Sequence, residues 1–364
     1  MATLNEYYPE EVLHPCYTLN EKLEEMEMSR KEFALRTGKP EKTIIAVLKG
    51  MSSITSEMAI LFENITKIPA HFWINKQARY NEYIARKQRK YDVEQAEEWT
   101  RSFPYTEMSK NNWLSQTRKI EEKTINLFEY FAVSTHEAWN KLYMEKELKI
   151  AAYASLKHTL EPHAISAWLR QGELQAEQID VPEYNKNVFN KNLLEIKDIM
   201  AKHPYNFFQK LQTLCFQAGV KVFYTPKLPK VPISGSTRWI KDTPVIQLSA
   251  RYKQNDRFWF TFFHEAGHIL LHGKKYISLE NINFSEADPE KEREAHDFSE
   301  EWTFTKKQEK EVIDAAPLDG NDIIAFAKKF NTHPAIIIGR LHHKQLIPFS
   351  VGREFIKPID LADN

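Results

Sequence analysis

The sequence predicts a mainly α chain in which a helical front two-thirds is followed by a small α+β unit. Three observations carry that expectation. Ten glycines among 364 residues are sparse. Over long stretches apolar residues recur three and four apart, the spacing of one helix face. Near Gly219 the texture changes: GVKVFYT and PVIQLSA alternate β-branched or aromatic residues with polar ones, between Pro and Gly, as strands do. A chain of this length can hold two or three domains with separate cores. The expected boundaries are 1–90, 91–200 and 201–364.

Composition narrows the class without choosing a function. Lys plus Arg equals Asp plus Glu at 50 each, so whole-chain charge points to no nucleic-acid or acidic partner. Locally, Lys76 to Lys90 carries six basic residues against one acidic, a pattern that ordinarily marks a solvated helix face. The two cysteines, Cys16 and Cys215, form no C-x-x-C pair, which argues against a zinc ribbon or thiol redox site and fits a reducing compartment. The opening MATLNEYYPEEVLHP has neither a basic nor an apolar signal region. No apolar run approaches the roughly 20 residues of a membrane span. A soluble, cytoplasmic protein without a membrane partner is expected.

From the front, residues 1–90 read as several short amphipathic helices, and SRKEFALRTGKPEKTIIAVLKG (29–50) fits a helix-turn-helix. Ala34 is the small residue where two helices cross, Gly38 the turn residue allowing positive φ, and Ile44, Val47 and Leu48 the inner face of the second helix. Ser29 and Glu32 are spaced as a capping box, and Pro40 suits a helix start. The plain alternative is a helical hairpin of some unrelated bundle. If the unit binds DNA, Lys39, Glu41, Lys42 and Thr43 would face the major groove. Arg30, Lys31 and Lys49 would then contact phosphates, which positions without specifying. The second helix is poor in the Arg, Asn and Gln side chains that read bases best.

The middle region reads as helix over NNWLSQTRKIEEKTINLFEYFAV (111–133) and KELKIAAYASLKH (146–158), and TPKLPKVPISGSTRW (225–239) as a Pro-rich loop. Behind it, RFWFTFFHEAGHILLH is an apolar helix, with Asn255 and Asp256 as possible caps and Gly273 closing it. An acidic loop, a helix around 290–310 and a last helix pair through NDIIAFAKKFNTHPAIIIGRLHHKQLIP follow.

Within the apolar helix, His264, Glu265 and His268 form H-E-x-x-H. Residues four apart share a helix face, so two imidazoles can hold one zinc ion while the intervening Glu265 serves as general base. The plain alternative is a pair of satisfied core histidines, but ionisable groups inside so apolar a helix are costly to bury without a purpose. His272 lies eight residues from His264, a rise of about 12 Å, and cannot share the ion with it; a packing or hydrogen-bonding role near the helix end is expected. The third ligand must come from elsewhere. EKEREAHDFSEEW (290–302) offers several carboxylates, most of which should be solvated. Arg238, Tyr252, His333 and Arg340 are candidate oxyanion donors, each as readily structural, and His333-Pro334 marks a helix start.

Family likenesses add to this. HPCYTLNEKLEEMEMS before the helix-turn-helix, and SSITSEMAILFENITKIPAHFWINKQARYNEYIARKQRK after it, resemble the Xre-type regulators of the HigA addiction-module antidote family over roughly residues 7–90. The resemblance implies a lambda-repressor-like bundle that binds operator DNA as a homodimer. HEAGH and EAHDFS resemble the HExGH and EANxFA elements of the ImmA/IrrE peptidases, a zincin-like (gluzincin) metallopeptidase family. That likeness implies Zn2+ held by His264, His268 and Glu294, with Glu292 as the alternative if the register slips. PISGSTRWIKDTPVIQLSARYKQNDRFWFTFFHEAGHILLHGKK, HPAIIIGRLHHKQLIP and ISAWLRQGELQAEQID extend the likeness to a fused regulator-peptidase. His296 and Ser299 depart from the motif, and EEWTFTKK replaces its usual apolar run, which puts substrate-side contacts in doubt. The fusion implies a DNA-binding, antitoxin-like regulator whose zinc endopeptidase cleaves a regulatory protein, itself or a cognate partner. The alternative is a non-catalytic antitoxin or repressor whose peptidase-like domain binds a partner such as a toxin, or senses a ligand.

Overall fold

The computed structural model describes residues 11–146, 162–249, 251, 253–275, 278–279, 289–359 and 361. It divides into two compact units, Met1–Gln95 and Ala96–Asn364.

The first unit is built from α1 (Cys16–Glu25), α2 (Arg30–Thr37), α3 (Glu41–Leu48), α4 (Ser56–Thr66) and α5 (Ala70–Gln95). Leu19, Phe33, Ile44, Val47, Phe62 and Trp73 are fully buried in its core, each side chain contributing roughly 1.5–3 kcal/mol by leaving water. Gly38 takes φ 65° and ends α2, a left-handed conformation that a Cβ would strain. Ala34 is buried at the crossing, and Ile44, Val47 and Leu48 face inward. The Ser29 hydroxyl accepts from the Glu32 N–H at 3.1 Å. The return arm of the expected capping box is absent, because Glu32 instead accepts from Arg36 one turn on. Nor are all these helices short: α5 runs for 26 residues, roughly 39 Å at 1.5 Å per residue, and passes the expected boundary at 90. Its basic run is largely exposed, with Arg86 paired to Glu82.

The second unit opens with α6 (Glu97–Arg101), α7 (Tyr105–Lys110), α8 (Ile120–Phe131) and α9 (His136–Trp139), a π-helical turn over Asn140–Lys146, and α10 (Pro162–Glu177). Then come α11 (Lys186–Lys202), α12 (Phe207–Gln217), β1 (Lys221–Tyr224), β2 (Gly235–Ile240) and β3 (Thr243–Leu248). The chain closes with α13 (Asn255–Leu271), β4 (Ser278–Leu279), α14 (Pro289–Thr303), α15 (Lys306–Asp314), α16 (Gly320–Phe330) and α17 (Pro334–His343). The sheet order is β1-β3-β2-β4, with β1 parallel to β3 and β2 antiparallel to both neighbours.

Strand alternation gives the sheet two working faces. Val222, Ile246 and Leu248 point into the large core shared with α13. Phe223 and Val245 point the other way, toward Ala176 of α10. Arg238 and Gln247 lie on that second face, where Arg238 Nη2 donates to the Leu169 carbonyl and Gln247 Nε2 to the Trp168 carbonyl. A helix therefore covers each face.

Several expectations need correction. The stretch ending GSTRW is not all loop: its last residues begin β2, a central strand. NNWLSQTRKIEEKTINLFEYFAV becomes helical only from Ile120. The helix expected around 290–310 is two, broken at Phe304 and restarted by a Thr305–Gln308 capping box. Phe189, Leu193, Ile196 and Met200 share one core with α13, so a boundary at 200/201 would cut through packed side chains. The KELKIAAYASLKH helix, beyond its first lysine, lies outside the described residues, as does most of the expected acidic loop.

Candidate metal centre

α13 carries two chemistries on opposite faces. Phe258, Trp259, Phe262, Phe263, Ala266 and Ile269 anchor it in the core, and its other face presents His264, Glu265 and His268. Those three are 5 %, 0 % and 1 % exposed. Ionisable groups buried so deeply cost several kcal/mol unless they meet partners. Here they converge. His264 Nε2 lies 3.1 Å from His268 Nε2. One Glu292 oxygen is 3.2 Å from His264 Nε2, and its other oxygen is 3.5 Å from His268 Nε2. The three donor groups lie within 4.8 Å of one another. Two nitrogens and one oxygen aimed at one point fit a catalytic zinc, which takes three protein ligands and keeps a position for water or substrate. Burial holds the His268 imidazole down at about 4, in the neutral form that a metal ligand needs.

The carboxylate that meets the two histidines is therefore Glu292 and not Glu294. Residues two apart on a helix sit about 200° around the axis from each other, so both cannot face the histidine pair. The register of α14 is set by its packed stripe: Ala295, Ser299 and Thr303 are buried, and Ser299 Oγ donates to the Phe260 carbonyl at 2.8 Å. Glu292 stands one turn before Ala295 on that stripe. Glu294 projects instead to His272, with 2.9 Å between Oε2 and Nε2. His272 Nδ1 in turn lies 2.9 Å from His268 Nδ1. His272 thus supports the back of a ligand ring, in line with the hydrogen-bonding role expected for it.

Glu265 is set against β2. Thr237 Oγ1 donates to its backbone carbonyl at 3.0 Å. A Cβ on Gly235 would stand 2.8 Å from Glu265 Oε1 and 2.7 Å from Thr261 Cγ2, so glycine is what lets strand and carboxylate approach. Beside the centre, a cavity of about 490 Å³ runs between α13, α14 and α17, with His264 and Glu292 in its wall.

The candidate oxyanion donors separate. Arg340 lines the cavity. Arg238 is buried under α10, bound to Leu169, Gln247 and Glu173, and takes no part in the cleft. His333 caps α17 through Nδ1 and packs on His203, again away from the centre. Tyr252 lies outside the described residues. Asn255 does not cap α13: Gln254 holds the N-cap position, and Asn255 ties the helix start to Phe355 and Lys357. In the first unit Arg30, Lys31, Glu41, Lys42 and Lys49 are exposed and Thr43 half-buried. Lys39 is half-buried and bridged to Glu57 at 2.7 Å.

Residues 215–341 match the model of the IrrE N-terminal-like domain, a Peptidase_M78 family. This segment, about a third of the chain, is similar to the IrrE N-terminal-like domain. The matched segment runs from the end of α12 into α17 with the whole sheet, and contains the metal candidates and the cavity lining apart from His343 and Lys344. Among curated proteins none matches the chain. Two solved structures are similar to part of it. One is an addiction module antidote protein of a HigA family from Coxiella burnetii, at 28% identity, covering 23% of this chain and 91% of that one, with TM-score 0.22. The other is a putative antidote protein of a plasmid maintenance system from Nostoc punctiforme, at 26% identity, covering 24% and 94%, with TM-score 0.23.

Proposed function

We propose that the protein is a DNA-binding regulator carrying a zinc-dependent endopeptidase, working in the cytoplasm on a regulatory protein, itself or a cognate partner. The observation that carries the peptidase reading is the convergence of His264, His268 and Glu292 beside the buried Glu265. In this reading the first three hold the ion through Nε2, Nε2 and a carboxylate. When bound, zinc would polarise the scissile carbonyl and acidify the attacking water. Glu265 takes a proton from that water as its oxygen bonds to the carbonyl carbon. It then passes the proton to the amide nitrogen as the C–N bond breaks. α13 fixes the base one residue from a proposed ligand, so its position is set by the helix itself.

The DNA reading rests on the helix-turn-helix of α2 and α3, where Arg30, Lys31, Glu41, Lys42 and Lys49 are all exposed. A homodimer on a two-fold operator is the expected mode. Lys39, held by Glu57, is the weakest of the proposed contacts.

Wild type and Glu265→Gln should carry equal zinc, while the variant loses about 10²–10⁴-fold in cleavage of the protein itself or of its operon partner. Zinc-loaded wild type that cleaves neither would remove the enzyme reading in favour of a partner-binding or ligand-sensing domain. On its own promoter, a gel shift should weaken steeply with salt, and no shift at low salt would reject the DNA reading.

A further inference from the structure

The cavity beside the centre has a charge pattern of its own. Its mouth carries the exposed Arg257, His343 and Lys344, and Arg340 stands further in. Arg340, with a side chain 9 % exposed, is clamped by two buried acids, Glu300 at 2.7 Å and Glu309 at 3.2 Å. Lys344 completes the group on Glu309. Lys306 also reaches Glu300, at 3.6 Å, and bridges it to Asp297, so three cations meet three anions, with His296 Nε2 3.3 Å from Glu300. Both acids meet Arg340 through the same nitrogen, Nη1. Among the described residues no bond occupies Nε or Nη2, the edge of the guanidinium that accepts a carboxylate side-on with two parallel N–H donors. The one acid of the wall outside this group and the metal set, Asp256, lies against Gly339, where a Cβ would overlap its carboxylate. Burial raises its pKa, which weakens it as a competing anion.

We infer that this cavity is a specificity pocket for an acidic substrate side chain, Asp or Glu next to the scissile bond, gripped by Arg340 under the basic mouth. The inference rests on the metal reading of His264, His268 and Glu292, since two of them, His264 and Glu292, stand in the cavity wall. The clamp explains why an arginine so deeply buried is held rigid: a pre-set fork loses little freedom when a carboxylate arrives.

The test uses the zinc-loaded full-length protein and a matched series of peptide hydroxamates, in which the metal-chelating group is constant and the neighbouring side chain is Glu, Gln, Leu or Lys. The Glu compound should bind about tenfold or more tightly than its neutral isostere Gln. Arg340→Gln combined with Glu309→Gln removes one buried charge of each sign, and should bring the Glu/Gln ratio toward one. Arg340→Lys keeps the charge and loses the fork, so it should fall between; melting temperatures establish that each variant is folded. Equal binding of Glu and Gln to wild type, or tighter binding of Lys, overturns the inference while leaving the metal reading intact. Failure of every hydroxamate to bind, with no zinc retained, sinks the metal reading and this inference together.

Discussion

Glu292 and Glu294 stand two residues apart and meet different partners, and a matched pair of substitutions tests their roles. Glu292→Gln removes a donor from the centre itself. Glu294→Gln acts through His272 on the rear nitrogen of His268, and outer partners of that kind are worth roughly 10–100-fold in metal affinity. Zinc affinity, measured by chelator competition, should therefore fall further for Glu292→Gln than for Glu294→Gln; the reverse order would restore Glu294 as the ligand. Gly235→Ala is a second residue-scale case. The added methyl meets Glu265 Oε1 and Thr261, so the variant should keep its zinc while its turnover drops through a displaced base. Unchanged kcat in a folded, zinc-loaded Gly235→Ala protein would show that the close approach is incidental.

At the scale of elements, Arg238 shows what β2 is for. Its guanidinium joins the sheet to α10, and breaking such a buried group on one side costs roughly 3–5 kcal/mol. Arg238→Ala should lower the unfolding free energy from urea melts by that amount, with zinc affinity of the folded fraction unchanged; a specific loss of zinc or turnover at full stability would return Arg238 to the site. The same strand explains what could and could not be read in advance. α2, α3, α13, α16 and α17 were legible because each buries an apolar stripe at helical spacing and is bounded by capping or turn residues. β2 was not, because GSTRWI carries no apolar alternation: Thr237 serves the Glu265 carbonyl, Arg238 the α10 network, and Gly235 makes room. His264, Glu265 and His268 followed from spacing alone. The acid that meets the histidine pair was expected at Glu294, with Glu292 as the alternative if the register slips, because the motif letters favour Glu294 whereas the packed stripe of Ala295, Ser299 and Thr303 fixes the helix register. That stripe was present in the sequence and pointed one turn back, to Glu292.

For the whole molecule, acid should be a denaturant through two histidines far from the centre. Burial holds both His203 and His333 down at about 4, against an ordinary value near 6.5. As pH falls from 6.5 toward 4, the unfolded chain takes up protons that the folded chain refuses, so stability is lost across that window and is flat above it. Allowing for partial solvent screening, the two together should cost about 2 kcal/mol between pH 7 and 5. His203→Asn and His333→Asn keep the left-handed and N-cap roles of those positions, so the double variant should lose much of the pH dependence in urea melts. A profile as steep as that of wild type would place the acid sensitivity elsewhere. The knot of Glu300, Arg340, Glu309 and Lys344 joining α14, α15 and α17 has a different dependence. Its core pairs are withdrawn from water, where dissolved ions barely reach, whereas phosphate contacts of the first unit would dissolve as counterions compete. Under the proposed function, ionic strength then becomes a dial that acts on one unit and spares the other. In concentrated salt the proposed DNA complex should dissociate with the cavity beside His264 still formed, so each proposed activity can be assayed in the intact polypeptide without cutting it.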